Sequence, residues 1–199
     1  FANSTIDDLA EDVEEIMGYF QRNGYREFIL LGHSQGGIIA GKVAARNPSV
    51  QGVILMASTG VPLIDVVLAQ VRREMIQAGV DRNLVESEVN AHKLLIKAIT
   101  EGANEVEARQ IFEKTILQTR LANAGGNEKN LKRKAKELTK EYEVVYGLPS
   151  LASFLFYDPT EDLKQLNVPV LAFYGENDKQ VSIEQNKDQI DAALLKAKV

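Results

Sequence analysis

The sequence has 199 residues, of which 45% are hydrophobic and 26% are charged, as is ordinary for a globular protein of one domain, or of one domain with a large insertion. It has no cysteine, which excludes disulfides and thiolate metal sites, and its net charge of −5 argues against a general nucleic-acid-binding protein. No apolar run approaches the roughly 18 residues that a membrane-spanning helix needs.

The chain begins with the pattern of an amphipathic helix. Ser4 and Thr5 are candidate N-caps, and Asn23-Gly24 ends the helical pattern. Between them, apolar residues recur at helical spacing, at Ile6, Leu9, Val13, Ile16 and Phe20.

A strand–helix–strand unit follows this helix. Residues 28–31 (FILL) and 52–57 (GVILMA) are continuous apolar runs, which are typical of strands buried on both faces of a parallel sheet. Between them the pattern predicts a helix from about Ile38 to Arg46, ended by Asn47-Pro48. This order predicts a βαβ unit and therefore an α/β fold.

The segment from residue 59 to residue 157 is helical and rich in charge. Gly79, Gly102 and Gly125-Gly126 divide it into about four helices, and the strand pattern resumes only at residues 168–174. Structureless loops of this length are rare, so we interpret the segment as a helical cap inserted into the core. The predicted domains are a first core segment at 1–58, the cap at 59–157 and a second core segment at 158–199.

The turn after the first strand carries the motif G-x-S-x-G, as Gly32-His33-Ser34-Gln35-Gly36. Between a buried strand and a helix, this motif predicts a sharp turn that exposes the serine hydroxyl at the end of the sheet. Ser34 is then the candidate nucleophile, and the backbone N–H of Gln35 a candidate oxyanion donor. Gly32 and Gly36 are expected to leave room where strand and helix approach. The alternative is a glycine-rich turn without catalytic function.

A nucleophilic serine needs a base, and the base needs an acid that orients it. Asp178 follows the last predicted strand and should lie on the same edge of the sheet as Ser34. Glu176 is the second candidate. The alternative for Asp178 is a capping role for a helix that begins near Ser182.

The histidine of such a triad is missing from the expected position. The sequence has two histidines, and neither follows Asp178 as the chain order Ser, Asp, His requires. We expect His33 to be a packed or hydrogen-bonded residue of the turn and His92 to be an exposed helix residue. The catalytic base is therefore expected beyond Val199, and we expect both ends of the fold to be absent. Alone, the chain should then have little or no catalytic activity.

Several stretches of the sequence resemble one family. They are LLGHSQGG at 30–37, VILMA at 53–57, GVP at 60–62, YDP at 157–159 and PVLAFYGENDKQV at 169–181. They resemble the bacterial serine carboxylesterases of the α/β-hydrolase superfamily, specifically the EstD-like group. The resemblance implies a partial α/β-hydrolase parallel sheet with a large helical cap, Ser34 as nucleophile, Asp178 as acid, and short-chain acyl esters as substrates.

Other functions remain open at this point. An acyltransferase, a thioesterase or a peptidase can use the same triad, and a hydrolase-like module without catalysis can hold a ligand under its cap. The sequence shows no metal-ligand cluster and no glycine loop for dinucleotides or phosphates, so we expect no metal and no cofactor. The expected partner is a small ester or acyl substrate, with no nucleic acid and no transmembrane segment.

Overall fold

The computed structural model describes residues 3–123 and 127–197. These residues form two compact units. The sheet unit comprises the chain up to Val66 and from Ser153 onward, and the helical unit comprises Val67–Ala152. The role of the helical unit as a cap, with boundaries at residues 59 and 157, stays a prediction.

The sheet unit contains three parallel strands. They are β1 (Phe28–His33), β2 (Val50–Met56) and β3 (Val170–Phe173), in the order β1-β2-β3. In the register, Leu31 lies beside Ile54 and Ile54 beside Leu171. The prediction of an α/β fold with a parallel sheet is confirmed.

The helices of the sheet unit cover one face of the sheet. They are α1 (Ile6–Arg22), α2 (Gln35–Arg46), α8 (Thr160–Leu163) and α9 (Ile183–Leu194). Thr5 caps α1 in a reciprocal capping box with Asp8. The core between these helices and the sheet consists of buried side chains from every one of these elements, among them Ala10, Val43, Val53, Leu55, Leu163 and Ile190.

The opposite face of the sheet is exposed. Ile29 and Leu31 of β1 are 67% and 58% exposed, and Leu171 and Phe173 of β3 are 58% and 42% exposed. The prediction that residues 28–31 form a strand buried on both faces is therefore wrong, and β3 is exposed on the same face as β1. The physical reason is that α1, α2, α8 and α9 all pack on the face that carries the alternate residues, such as Leu30 and Val170.

The helical unit contains α4 (Arg82–Glu101), α5 (Glu105–Asn123), α6 (Glu128–Tyr146) and most of α3 (Leu63–Gln77). The short helix α7 (Pro149–Leu155) begins in the helical unit and ends in the sheet unit. Gly79 and Gly102 have φ of 75° and 64°, so they end α3 and α4 in a conformation that favours glycine. The predicted helix ends at Gly79 and Gly102 are therefore confirmed. Gly125-Gly126 lie outside the described residues. Within 3–123 and 127–197, no helix combines the length and apolar character needed to cross a membrane.

Candidate active site

Ser34 forms a strained turn between β1 and α2. Its φ of 54° and ψ of −122° lie in a region that side-chain-bearing residues rarely adopt. Its backbone N–H donates to the carbonyl of Met56 at 2.9 Å, which extends the β1–β2 ladder beyond the end of the strand. Strain of this kind costs about 1–3 kcal/mol and clusters at functional sites.

Two glycines allow the chain to come close to itself at this turn. A Cβ on Gly32 would lie 2.2 Å from the carbonyl oxygen of Gly36, and a Cβ on Gly37 would lie 2.2 Å from the Oγ of Ser58. Gly36, which we expected to need the same room, has no atom within 4 Å of its own Cβ position, apart from its chain neighbours and the backbone of its own helix. The second tight position is therefore Gly37, one residue after the motif.

The Ser34 hydroxyl is not used to cap the helix. Ser34 is the N-cap residue of α2, but its side chain makes no capping hydrogen bond. Gln35 is the first residue of α2, so its N–H has no carbonyl one turn earlier in the helix to bond. A hydroxyl that makes no capping bond thus precedes an amide at the positive end of a helix dipole, and such an end can stabilise a negatively charged oxygen.

Asp178 lies in the turn after β3. Its Oδ1 accepts hydrogen bonds from the backbone N–H groups of Gln180 at 2.8 Å and Val181 at 3.0 Å. The alternative that Asp178 caps the next helix is wrong, because α9 begins at Ile183 with Ser182 as its N-cap residue. The turn fixes the half-buried Asp178 carboxylate, whereas Glu176 is exposed.

Ser34 and Asp178 follow the carboxyl ends of β1 and β3, and β2 lies between these two strands. Since all three strands are parallel, both residues lie at the same edge of the sheet. The strands β1 and β3 are two strand spacings apart, which amounts to about 10 Å.

The two histidines do not occupy the expected environments. His33 is exposed rather than packed, since it lies on the open face of β1, in register with Met56. His92 is only 2% exposed, so the prediction of an exposed helix residue is wrong. Its Nδ1 lies 2.7 Å from the Tyr146 hydroxyl.

Burial of His92 follows from the packing of α4 against α5 and α6. The rings of Phe112 and Tyr142 meet the imidazole edge to face, each with a centroid distance of 4.7 Å. Burial lowers the pKa of His92 to about 4, so the ring is neutral near pH 7. Burial also raises the pKa of Tyr146, which keeps its hydroxyl protonated.

The segment after β2 was missed by reasoning from the sequence. Ala57 has φ of 46°, and the buried Ser58 packs against Gly37. The N–H of Gly60 donates to Oδ1 of the fully buried Asn186 in α9 at 2.8 Å. These contacts join residues far apart in the chain, so no local pattern signals them. They fix the rim of the sheet beside Ser34.

No group of three or more histidine, aspartate or glutamate side chains that could hold a metal ion forms within the described ranges.

Solved structures of several proteins resemble this chain in fold. A bromoperoxidase from Bacillus anthracis matches with a TM-score of 0.51 and 14% identity, over 98% of this chain and 64% of that protein. A hydrolase from Pseudomonas aeruginosa matches with a TM-score of 0.48 and 17% identity, over 98% and 62%. A thermophilic esterase from Thermogutta terrifontis matches with a TM-score of 0.46 and 16% identity, over 98% and 61%.

The chain spans less than two thirds of the length of each of these three proteins. No curated protein gave a significant match. The family model of the alpha/beta hydrolase fold matches residues 2–199, which is nearly the whole sequence. The chain therefore belongs to the alpha/beta hydrolase fold family.

Proposed function

We propose that the protein is a serine hydrolase that cleaves carboxylic esters, with Ser34 as the nucleophile. The observation that carries this proposal is the φ of 54° at Ser34, between a strand and a helix, with a hydroxyl that makes no capping bond. A structural N-cap serine would have extended backbone, and its side-chain oxygen would accept a hydrogen bond from a backbone N–H of the first turn. The strained turn without a cap is better explained by a hydroxyl held for reaction.

In the proposed reaction, a histidine removes the proton of the Ser34 hydroxyl as Oγ attacks the ester carbonyl carbon. The carbonyl oxygen becomes an oxyanion, and the Gln35 N–H and the dipole of α2 stabilise it. The oxyanion then collapses, the bond to the alcohol oxygen breaks, and the histidine gives its proton to the departing alcohol. The acyl group remains on Ser34. Water attacks this acyl-enzyme by the same route, releases the acid and restores Ser34.

Asp178 is the proposed acid of the triad. Two backbone amides donate to its Oδ1, and both of these hydrogen bonds leave its second oxygen, Oδ2, aside. A fixed carboxylate at the rim can hold a histidine in the tautomer that accepts the proton of the serine.

Neither histidine of this sequence suits the role of base. His92 is 2% exposed and already bonded to Tyr146. His33 precedes the nucleophile, and in a strand successive side chains point to opposite faces. The base in this proposal is a histidine that these 199 residues do not supply.

The test uses the full-length gene product and the ester p-nitrophenyl butyrate. Ser34→Ala should reduce kcat by up to about 10⁶-fold, the scale of nucleophile loss in serine hydrolases that act through a triad. Ser87→Ala, on the exposed side of α4, is the matched control and should leave kcat unchanged. Equal turnover by the Ser34→Ala variant would refute the assignment. If turnover occurred only with thioesters, peptides or an acceptor alcohol, Ser34 would remain the proposed nucleophile, but the proposed substrate class would change.

A further inference from the structure

The residues that directly follow β1 and β2 are hydrogen-bonded to the next strand of the sheet. The N–H of Ser34, after β1, donates to the carbonyl of Met56 in β2 at 2.9 Å. The N–H of Ala57, after β2, donates to the carbonyl of Phe173 in β3, also at 2.9 Å. Both are backbone bonds, so they continue the parallel ladder past the ends of the strands. The edge of the sheet that carries Ser34 is therefore a hydrogen-bonded row from β1 to β3.

Tyr174 adds a side-chain hydrogen bond to this row. It directly follows β3, and its hydroxyl donates to the carbonyl of Ser58 at 2.8 Å. Its half-buried ring packs against the core between the sheet and the helices. Burial raises the pKa of Tyr174 to about 12, and the Asp191 carboxylate of α9 acts in the same direction. The hydroxyl therefore keeps its proton and remains a donor near pH 7.

The two ends of this hydrogen bond bear on the two proposed catalytic groups. The acceptor belongs to Ser58, which is 2% exposed and whose Oγ fills the space where a Cβ on Gly37 of α2 would lie. The donor Tyr174 begins the segment that carries Asp178. The N–H of Asp178 donates to the carbonyl of Gly175 at 3.1 Å, and Gly175 follows Tyr174 directly. The bond thus joins the turn of the acid to a residue packed on the helix of the nucleophile.

We propose that Tyr174 is a positioning residue, whose hydroxyl, bonded to the Ser58 carbonyl, holds the turn of Asp178 at a fixed distance from Ser34. This inference rests on the proposed function, because it requires that Ser34 and Asp178 act together through a histidine. Without the hydroxyl, the turn loses a tie to the segment after β2, and the carboxylate is held less firmly. A misplacement of about 1 Å in such a group can cost about 10²-fold in rate.

The first test compares Tyr174→Phe with the unmodified full-length gene product on p-nitrophenyl butyrate. We expect kcat to fall about 10- to 100-fold and KM to change by less than about twofold, because the lost interaction orients a catalytic group and does not bind the ester. Loss of one hydrogen bond should lower Tm by only about 2–4 °C. Tyr25→Phe, at an exposed position before β1, is the matched control and should leave kcat unchanged. An unchanged kcat in Tyr174→Phe would overturn the proposal.

A double-mutant cycle separates positioning of the acid from a general loss of structure. If Tyr174 acts through Asp178, Tyr174→Phe should lower kcat by less than about twofold in a protein that already carries Asp178→Asn. If Tyr174 only supports the fold, Tyr174→Phe should lower kcat by the same factor with and without Asp178→Asn. That second result would contradict the positioning role.

Restoring the donor gives a further test. Replacement of Tyr174 by p-aminophenylalanine keeps an N–H donor at the same place on the ring and should restore most of the kcat. This variant also decides the question if Tyr174→Phe does not fold, and a kcat as low as that expected for Tyr174→Phe would overturn the proposal.

Failure of this inference can be told apart from failure of the proposed function. Full turnover by Ser34→Ala would refute both. Lost turnover in Ser34→Ala together with an unchanged kcat in Tyr174→Phe would refute only the positioning role of Tyr174.

Discussion

The turn at Ser34 makes a sharp prediction about two glycines of one motif. An alanine Cβ at Gly32 would lie 2.2 Å from the carbonyl oxygen of Gly36, 2.4 Å from its carbonyl carbon and 2.5 Å from the Cα of Gly37. All three atoms belong to the main chain, so no side-chain rotation relieves the overlap. The strand and the helix must separate by about 1 Å to restore ordinary contact distances, the kind of backbone shift that overpacking forces.

The expected cost of Gly32→Ala is about 3 kcal/mol, the upper part of the range for overpacked sites. In a chain of this size, that cost lowers Tm by about 6–12 °C. Gly36→Ala has open space at its Cβ position and lies in the first turn of α2. It should leave Tm unchanged or raise it by about 2–4 °C, because alanine loses less backbone entropy on folding.

Thermal melts followed by far-UV circular dichroism compare the two variants with the unmodified protein. Both changes add one methyl group to the same motif, so the pair controls for composition and for general sensitivity of the region. If Gly36→Ala lowered Tm as much as Gly32→Ala, or if Gly32→Ala melted within about 2 °C of the unmodified protein, the close approach at the turn would be refuted.

Three further outcomes test other parts of the molecule. Asp178→Asn keeps the oxygen that accepts from the two turn amides, so Tm should hardly change. The kcat of the full-length gene product on p-nitrophenyl butyrate should fall about 10⁴-fold. An unchanged kcat would mean that another residue is the acid. Asn186→Ala removes the acceptor of the buried Gly60 N–H and should cost about 1–3 kcal/mol in a urea melt, and a smaller effect would mean that the N–H finds another partner. Burial lowers the pKa of His92 in the folded state to about 4, whereas in the unfolded chain it has the ordinary value of 6.5. Between these two pH values His92 binds a proton in the unfolded chain but not in the folded protein. The free energy of unfolding should then fall by about 3 kcal/mol between pH 6.5 and 4, and His92→Gln should remove this loss; an equally steep pH dependence in the variant would contradict it.

The turn at Ser34 could be predicted because its signals are local. A strand, a glycine-flanked serine and a helix follow one another within residues 28–46, and each has its own pattern in the sequence. The covering of the strands could not be predicted in this way. A continuous apolar run such as residues 28–31 reports that a strand is apolar on both faces, but whether both faces are covered depends on where α1, α2, α8 and α9 pack.

The burial of His92 shows the same limit in the helical unit. Its immediate neighbours Ala91 and Lys93 favour the prediction of a surface position. The rings that enclose it are those of Phe112, Tyr142 and Tyr146. These residues lie 20 to 54 positions further along the chain, so only the pairing of α4 with α5 and α6 brings them together. A helical spacing can assign a residue to a face, but not a partner to that face.

The order of the strands bears on the number of catalytic groups. If β3 lay directly beside β1, the residues after the two strands would be about 5 Å apart, and a carboxylate could meet the serine without an intermediary. With β2 between them, the two strands are about 10 Å apart, which exceeds the length of any single hydrogen bond. Two hydrogen bonds of about 2.8 Å together with an imidazole ring can bridge such a gap once both side chains reach inward. In the proposed reaction, this strand order suits a serine and an acid that act through a third group better than a pair in direct contact.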